Sequence, residues 1–194
     1  MAEVVLFHHA HGLTAGVATL AHDLVADGHH VHTPDLFEGR TFEALDDGVD
    51  HAEALGTDVV LKRGARAVEG LAEGLVYIGL SLGVLPAQQL AQTRPGARGA
   101  VLVGSCVPVE FFGGWPEGVP VHVHGMDADP WFVGEGDLDA ARELVEGAAD
   151  GQLFLYPGGQ HLFIDPSLPA HDAAAHARFM ETLRSFLVAV DSRG

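Results

Sequence analysis

One short segment has the residue types and spacing of a nucleophilic serine. Residues 79–83 read Gly79-Leu80-Ser81-Leu82-Gly83, with a glycine two positions before the serine and another two positions after it. Glycines at these positions leave room for close backbone approach in a sharp strand-to-helix turn. The serine would then project above a sheet, next to a helix N-terminus whose N–H groups point toward the site. The simpler alternative is a buried serine that caps a helix.

A serine nucleophile needs a base, and the base needs an acid that holds it. His161 follows the last strand-like run of the chain, and Asp127 and Asp129 follow the run before it. The three loops come in the chain order serine, aspartate, histidine, and each leaves the carboxyl end of a predicted strand, where the reactive loops of parallel sheets lie. We therefore predict a triad of Ser81, His161 and one of these two aspartates.

Acyl transfer also needs backbone N–H donors for the developing oxyanion. One donor would be the N–H of Leu82, the residue after the nucleophile. The other would come from the loop after the first strand, residues 8–13, and would be the N–H of Ala10 or His11.

Four side chains are candidates for substrate contact. His9 and His11 lie on the loop that faces the predicted site, and Trp131 could wall an apolar pocket beside the aspartates. Arg40 could bind a substrate carboxylate, because a guanidinium group binds a carboxylate through two hydrogen bonds. The alternatives are ordinary hydrogen-bonded loop histidines and an arginine that neutralises nearby glutamates.

Apolar runs alternate with helix-like segments and would position these residues. The predicted strands are residues 3–8, 30–33, 75–78, 99–103, 119–123 and 152–156, and the predicted helices are residues 14–26, 82–92, 138–146 and 170–190, with two more between residues 41 and 71, broken near Gly56. Apolar strands without alternation are typical of a parallel sheet covered by helices on both faces. We predict a single α/β domain over residues 1–194, a three-layer α/β/α arrangement around a mostly parallel sheet of about six strands.

Composition excludes several classes of partner. The formal net charge of −17 repels phosphate backbones and anionic lipid, so we expect neither a nucleic-acid nor a membrane partner. No apolar run approaches the length of a membrane span, and the first residues lack the basic segment of a signal peptide. Cys106 is the only cysteine, which excludes an intrachain disulfide and fits a cytoplasmic protein. We expect a monomer or a small homo-oligomer.

A metal-dependent hydrolase is an alternative class. Three pairs of histidines have the His-x-His spacing that places both rings on one face of a strand, where they could bind a metal ion. They are His9 with His11, His30 with His32, and His122 with His124. No His-Glu-x-x-His segment occurs, and a histidine inside a strand is more often a packed side chain, so the serine mechanism is the preferred hypothesis.

Six segments, taken in order, carry a family resemblance: H-H-A-H-G-L-T-A-G, H-T-P-D-L-F-E-G-R-T-F, G-L-S-L-G, E-F-F-G-G, D-A-D-P-W-F and Y-P-G-G-Q-H-L-F-I-D. Over nearly the whole chain, their order and spacing resemble the dienelactone hydrolase family of α/β-hydrolases. The resemblance implies a compact, lidless hydrolase that acts on small esters or lactones without a metal ion or other cofactor. A broader carboxylesterase or thioesterase is the alternative activity. A binding protein without catalysis is the non-enzymatic alternative.

The same resemblance bears on individual residues. The family pattern has an aspartate followed two residues later by an aromatic residue, which favours Asp129, with Trp131 after it, over Asp127 as the acid. Family members commonly carry cysteine at the position of Ser81, and that difference puts dienelactone itself in doubt as the substrate. Some members also have a glutamate near the oxyanion loop, where this chain has His9.

Overall fold

Side chains alternate between two faces along the central strands, and this alternation builds two cores. The computed structural model describes residues 1–193. Along β1 (Glu3–Phe7), Val5 and Phe7 pack on one face of the sheet, and Val4 and Leu6 pack on the other. Both sets are fully buried, because helices cover both faces. This explains why the strands read as continuous apolar runs.

The six strands form one parallel sheet in the order β2-β1-β3-β4-β5-β6. The strands after β1 are β2 (His30–His32), β3 (Leu75–Leu80), β4 (Gly99–Val103), β5 (Val121–Met126) and β6 (Gly151–Tyr156). The predicted α/β fold with a parallel six-stranded sheet is confirmed. Since all strands run the same way, their carboxyl ends meet at one edge of the sheet, and the loops that leave them can converge.

Residues 1–193 contain seven α-helices, of which six lie between strands and the seventh follows the last strand. They are α1 (Ala15–Ala26), α2 (Leu45–Leu55), α3 (Thr57–Ala67), α4 (Val84–Thr93), α5 (Pro130–Gly134), α6 (Asp137–Gly147) and α7 (Ala173–Asp191). Helices α1 and α7 cover one face of the sheet, and α2 to α6 contribute to the core on the other face. Within residues 1–193 no helix is both long enough and apolar enough to cross a membrane.

Several element boundaries differ from the sequence-based prediction for local reasons. Helix α1 begins one residue later than predicted, because Thr14 is its N-cap and accepts a hydrogen bond from Val17 N–H at 3.2 Å. Asp172 caps α7 in the same way, so that helix begins at Ala173 and not at residue 170. The predicted break between α2 and α3 falls at Gly56, whose φ is 82°.

Candidate active site

The segment around Ser81 forms a strained turn between β3 and α4. Ser81 has a φ of 48°, in the left-handed region that non-glycine residues rarely adopt. A side-chain carbon on Gly79 would lie 2.6 Å from the Gly83 carbonyl oxygen, and one on Gly83 would lie 2.4 Å from the Phe7 carbonyl oxygen. Both glycines are therefore required by backbone-to-backbone contact, as the sequence pattern indicated.

Two hydrogen bonds connect Ser81, His161 and Asp129 in series. The Ser81 hydroxyl lies 2.8 Å from His161 Nε2, and His161 Nδ1 lies 2.7 Å from Asp129 Oδ2. The Asp129 carboxylate is fully buried and accepts a hydrogen bond from Nδ1–H, which keeps the proton on Nδ1 and leaves Nε2 free to accept the serine proton. This arrangement can remove a proton from Ser81 and return it to a leaving group.

The two candidate acids occupy different environments. Asp129 caps α5, and its second carboxylate oxygen accepts a hydrogen bond from Trp131 N–H at 2.9 Å, which holds the side chain in one orientation. Asp127 is exposed and accepts a hydrogen bond from Gly158 N–H at 3.0 Å, so it ties the aspartate loop to the histidine loop. Of the two, only Asp129 bonds to His161.

A cavity of about 270 Å³ opens beside Ser81 and His161. Leu82 and Ala10, the residues expected to supply oxyanion donors, both line it, as does Trp131, whose ring centroid is 5.8 Å from that of His161. Helix α2 supplies much of the opposite wall through Leu45, Val49 and Ala52. It also packs directly on the oxyanion loop, because a side-chain carbon on Gly48 would lie 2.1 Å from the Ala10 carbonyl oxygen.

The dienelactone hydrolase family model matches residues 1–190, almost the entire chain. The chain belongs to the dienelactone hydrolase family. It is thus a member of a hydrolase family, with the α/β fold of that family. None of the curated proteins is similar enough in sequence to count as a match.

Solved structures of dienelactone hydrolase-like proteins share this fold at low sequence identity. A dienelactone hydrolase-like promiscuous phosphotriesterase from metagenomic libraries is 19% identical, with a TM-score of 0.74 over 98% of this chain and 87% of that one. Dienelactone hydrolase from Anabaena variabilis is 17% identical, with a TM-score of 0.69 over 97% and 86%. A hydrolase of the α/β superfamily from Xanthomonas campestris is 23% identical, with a TM-score of 0.60 over 95% and 99%. At these identities the comparison shows the fold alone.

His9, which stands where some members of the dienelactone hydrolase family have a glutamate, does not line the cavity. Its ring is fully buried, and its Nε2 lies 2.8 Å from Asp165 Oδ2. Burial lowers the pKa of His9, although the hydrogen bond to Asp165 opposes this effect. Since a carboxylate oxygen only accepts, Nε2 is the donor in this hydrogen bond. His9 therefore lies behind the lining of the cavity, and its contact with a substrate stays a prediction.

His11 and Arg40 also lie outside the lining. His11 Nδ1 donates to the Phe42 carbonyl at 2.8 Å, and Phe42 N–H donates back to the His11 carbonyl at 2.9 Å, so this histidine fixes the loop before α2. Arg40 is exposed, and Glu38, one of the glutamates it could have neutralised, pairs with Arg63 at 2.8 Å. Of the four expected substrate contacts, only Trp131 borders the cavity.

Asp165 joins three parts of the site, and the sequence analysis did not identify it. Its Oδ2 accepts hydrogen bonds from His9 and, at 2.6 Å, from the Thr14 hydroxyl, and its Oδ1 accepts from Ser167 N–H and hydroxyl at 2.8 and 2.6 Å. Burial would raise the pKa of Asp165, but the hydrogen bonds from His9, Ser167 and Thr14 together hold it well below its ordinary value. The carboxylate thereby ties the oxyanion loop and the start of α1 to the segment after His161.

Cys106 does not have the properties of a nucleophile. It is fully buried, and burial, with a smaller contribution from Asp137, raises the pKa of its thiol to about 12. A thiol with that pKa is not ionised at neutral pH and reacts poorly.

The His-x-His pairs do not come together with further ligands. Within residues 1–193 no three side chains of His, Cys, Asp or Glu are arranged to hold a metal ion. His122 and His124 pack against Phe154, and His32 pairs with Glu3 at 3.0 Å. Each of these three has a structural environment of its own.

Apart from Trp131, the side chains that wall the cavity were not predicted from the sequence, although part of the signal was present. Leu45, Val49 and Ala52 follow one another at intervals of four and three residues, which indicates one face of a helix. Two further residues line the cavity: Glu135 lies between α5 and α6, and Asp137 is the first residue of α6. Nothing in their sequence surroundings connects them with Ser81.

Proposed function

We propose that this protein hydrolyses small carboxylic esters or lactones through an acyl-enzyme on Ser81. The observation that supports this most strongly is the hydrogen-bonded series from the Ser81 hydroxyl through His161 to the buried Asp129 carboxylate. Family membership supports hydrolysis in general, and the series of three side chains supports a covalent serine mechanism.

In the first half of the reaction, Ser81 Oγ attacks the carbonyl carbon while its proton passes to His161 Nε2. The carbonyl oxygen becomes an oxyanion, which the N–H groups of Leu82 and Ala10 would stabilise from their places in the cavity wall. Collapse of this intermediate breaks the bond to the alcohol oxygen, which takes the proton from His161. The acyl group remains on Ser81, and Asp129 stabilises the imidazolium throughout.

In the second half, a water molecule replaces the alcohol. His161 Nε2 removes a proton from the water as its oxygen attacks the acyl carbon, and a second oxyanion forms at the same donors. The bond to Ser81 Oγ then breaks, Oγ takes the proton from His161, and the carboxylic acid leaves. For a lactone, the acid and alcohol are parts of one opened chain.

The size of the cavity supports a small acyl group. Its volume of about 270 Å³ is at the lower end of the range for small-molecule sites. Apolar side chains of α2 and α4, including Val49 and Leu85, border the space beside Ser81. Short acyl chains would therefore be preferred to long ones.

The test is a panel of short-chain esters, lactones and thioesters, run with wild type, Ser81→Ala and Ser185→Ala. Ser185 is a matched control, because it lies on α7 outside this cavity. We expect turnover of at least one substrate class, with loss of about 10³-fold or more in Ser81→Ala and no loss in Ser185→Ala. Absence of turnover across the panel, or equal activity in Ser81→Ala, would contradict the proposal. The substrate class with the highest kcat/KM shows whether the protein is mainly an ester or lactone hydrolase or mainly a thioesterase.

A further inference from the structure

The cavity beside Ser81 carries negative charge and no positive side chain. Three carboxylates line it, from Glu53, Glu135 and Asp137, and within residues 1–193 no lysine or arginine does. The one basic group in the lining is His161, whose two ring nitrogens are engaged by Ser81 and Asp129. A bound substrate therefore meets carboxylates and apolar groups, and finds no cation to pair with.

These three carboxylates are not neutralised by neighbours. Among residues 1–193 none of them forms an ion pair with lysine, arginine or histidine. Asp137 is half-buried, and its Oδ2 accepts hydrogen bonds from the Ser105 hydroxyl at 2.5 Å and from Cys106 N–H at 3.1 Å. Those bonds hold the carboxylate against the loop after β4, the strand next to β3, which leads into Ser81.

The two glutamates line the cavity from different elements. Glu53 is an exposed residue of α2, and Glu135 is exposed between α5 and α6. An anionic substrate bound in this cavity would share it with both carboxylates, in the field of a chain whose formal net charge is −17. The arginine that was expected to bind a substrate carboxylate, Arg40, lies outside this lining.

We propose that the substrate of this site is an uncharged or cationic ester, and that esters or lactones bearing a free carboxylate are selected against. This inference rests on the proposed ester hydrolysis and specifies its substrate class. Apolar side chains receive the acyl group, and the three carboxylates act on the charge carried by the remainder of the substrate. One unit charge a few ångströms from another in water changes an equilibrium by about fivefold, so three together give a selectivity of about tenfold or more after screening.

The test compares three phenyl acetates that differ in charge at one position. They are 3-acetoxybenzamide, which is neutral, 3-acetoxybenzoate, which is anionic and nearly the same size, and (3-acetoxyphenyl)trimethylammonium, which is cationic. Each kcat/KM is divided by the rate constant for hydroxide-catalysed hydrolysis of the same ester, which removes the intrinsic effect of the substituent. The measurements are made on wild type, on Glu53→Gln/Glu135→Gln, and on Glu69→Gln/Glu181→Gln. The last variant is the matched control, because it removes the same charge from exposed positions outside the cavity.

We expect wild type to prefer the neutral amide to the anionic benzoate by about tenfold at low ionic strength, with the preference shrinking as salt is added. The cationic ester should match or exceed the neutral one. The preference for the neutral ester should fall by about threefold or more in Glu53→Gln/Glu135→Gln and stay unchanged in the control variant. Equal or better turnover of the anionic ester by wild type would overturn the inference while leaving ester hydrolysis intact. Failure to cleave even the neutral ester in a Ser81-dependent manner would instead refute the proposed function, and this inference with it.

Discussion

Asp129→Asn tests the triad because one orientation of the new amide changes the tautomer of His161, and the other leaves two donors facing each other. Asp129 Oδ1 accepts from Trp131 N–H at 2.9 Å, and Oδ2 accepts from His161 Nδ1 at 2.7 Å. If the amide oxygen faces Trp131, its NH₂ faces His161 and forces the tautomer with the proton on Nε2, which can no longer accept from Ser81. If the amide is reversed, its NH₂ meets the Trp131 N–H, and two donors face each other in a fully buried site.

The first orientation keeps every donor paired with an acceptor, so we expect it to prevail and the base to be lost. The expected result is a fall in kcat of about 10³- to 10⁴-fold, equivalent to about 4–5 kcal/mol of transition-state stabilisation. Initial rates on a short-chain ester measure this, with circular dichroism to show that the variant is folded.

Asp127→Asn is the matched control. Its amide oxygen can still accept from Gly158 N–H, so kcat should stay within about threefold. Full activity in Asp129→Asn together with loss in Asp127→Asn would refute the assignment.

Three further predictions concern stability. Gly83→Ala should lower the free energy of unfolding by about 2 kcal/mol, because the new carbon would lie 2.4 Å from a backbone oxygen. Gly70→Ala is the control and should not lower it, because nothing lies within 4 Å of the new carbon. Equal midpoints of urea unfolding for the two variants would contradict this prediction. Asp165→Asn should cost about 3 kcal/mol at pH 7, because its NH₂ cannot accept the bonds that the carboxylate accepts. Since folding lowers the pKa of Asp165, the destabilisation by Asp165→Asn should stay constant down to about pH 3.8, the pKa of the carboxyl in the unfolded chain, and shrink only below it. A destabilisation that disappears already at pH 6 would exclude the lost hydrogen bonds of the carboxylate as its cause. Burial lowers the pKa of His122 from 6.5 to about 4, so between these two values His122 is protonated in the unfolded chain and neutral in the folded one. The free energy of unfolding should therefore fall by about 2 kcal/mol between pH 7 and pH 5 because of this residue. In urea titrations at several pH values, His122→Gln should lose this part of the pH dependence, and an unchanged pH dependence would contradict the prediction.

Most of the fold could be predicted because its signals are local. Apolar runs marked five of the six strands, the short β2 (His-Val-His) was predicted between Gly28 and Pro34, and Gly56 marked the break between α2 and α3. Boundaries were less accurate where capping decides them, as at Thr14 and Asp172. Helix α5 was missed because five residues are too few to show helical periodicity. Its capping residue and the proline after it, Asp129-Pro130, were the signal that could have located it.

The candidate site was predictable where the chain order and a parallel sheet dictate the geometry. Ser81, Asp129 and His161 each follow a strand, and one edge of the sheet brings them together. The pairing of His9 with Asp165 could not be predicted in the same way, because the partners are 156 residues apart and no sequence pattern links one to the other. The role of the paired histidines was also ambiguous, because the sequence does not distinguish a histidine that packs in a buried aromatic cluster from one that binds a metal ion.

The acidic lining of the cavity shows what sequence cannot supply. Glu53 lies in α2, whereas Glu135 and Asp137 lie about 80 residues later around the start of α6, and only the folded structure shows that all three border one cavity. The sequence showed the net negative charge of the chain, but it did not show that three of the carboxylates line the cavity beside Ser81.

The central claim is that Ser81 is the nucleophile, and covalent labelling with a fluorophosphonate tests it most directly. The probe phosphonylates an activated serine with loss of fluoride, and peptide mass spectrometry identifies the modified residue. We expect one adduct per chain, located on Ser81, and no adduct in Ser81→Ala. Labelling that persists in Ser81→Ala, or that falls on Ser105 in the same cavity, would contradict the account.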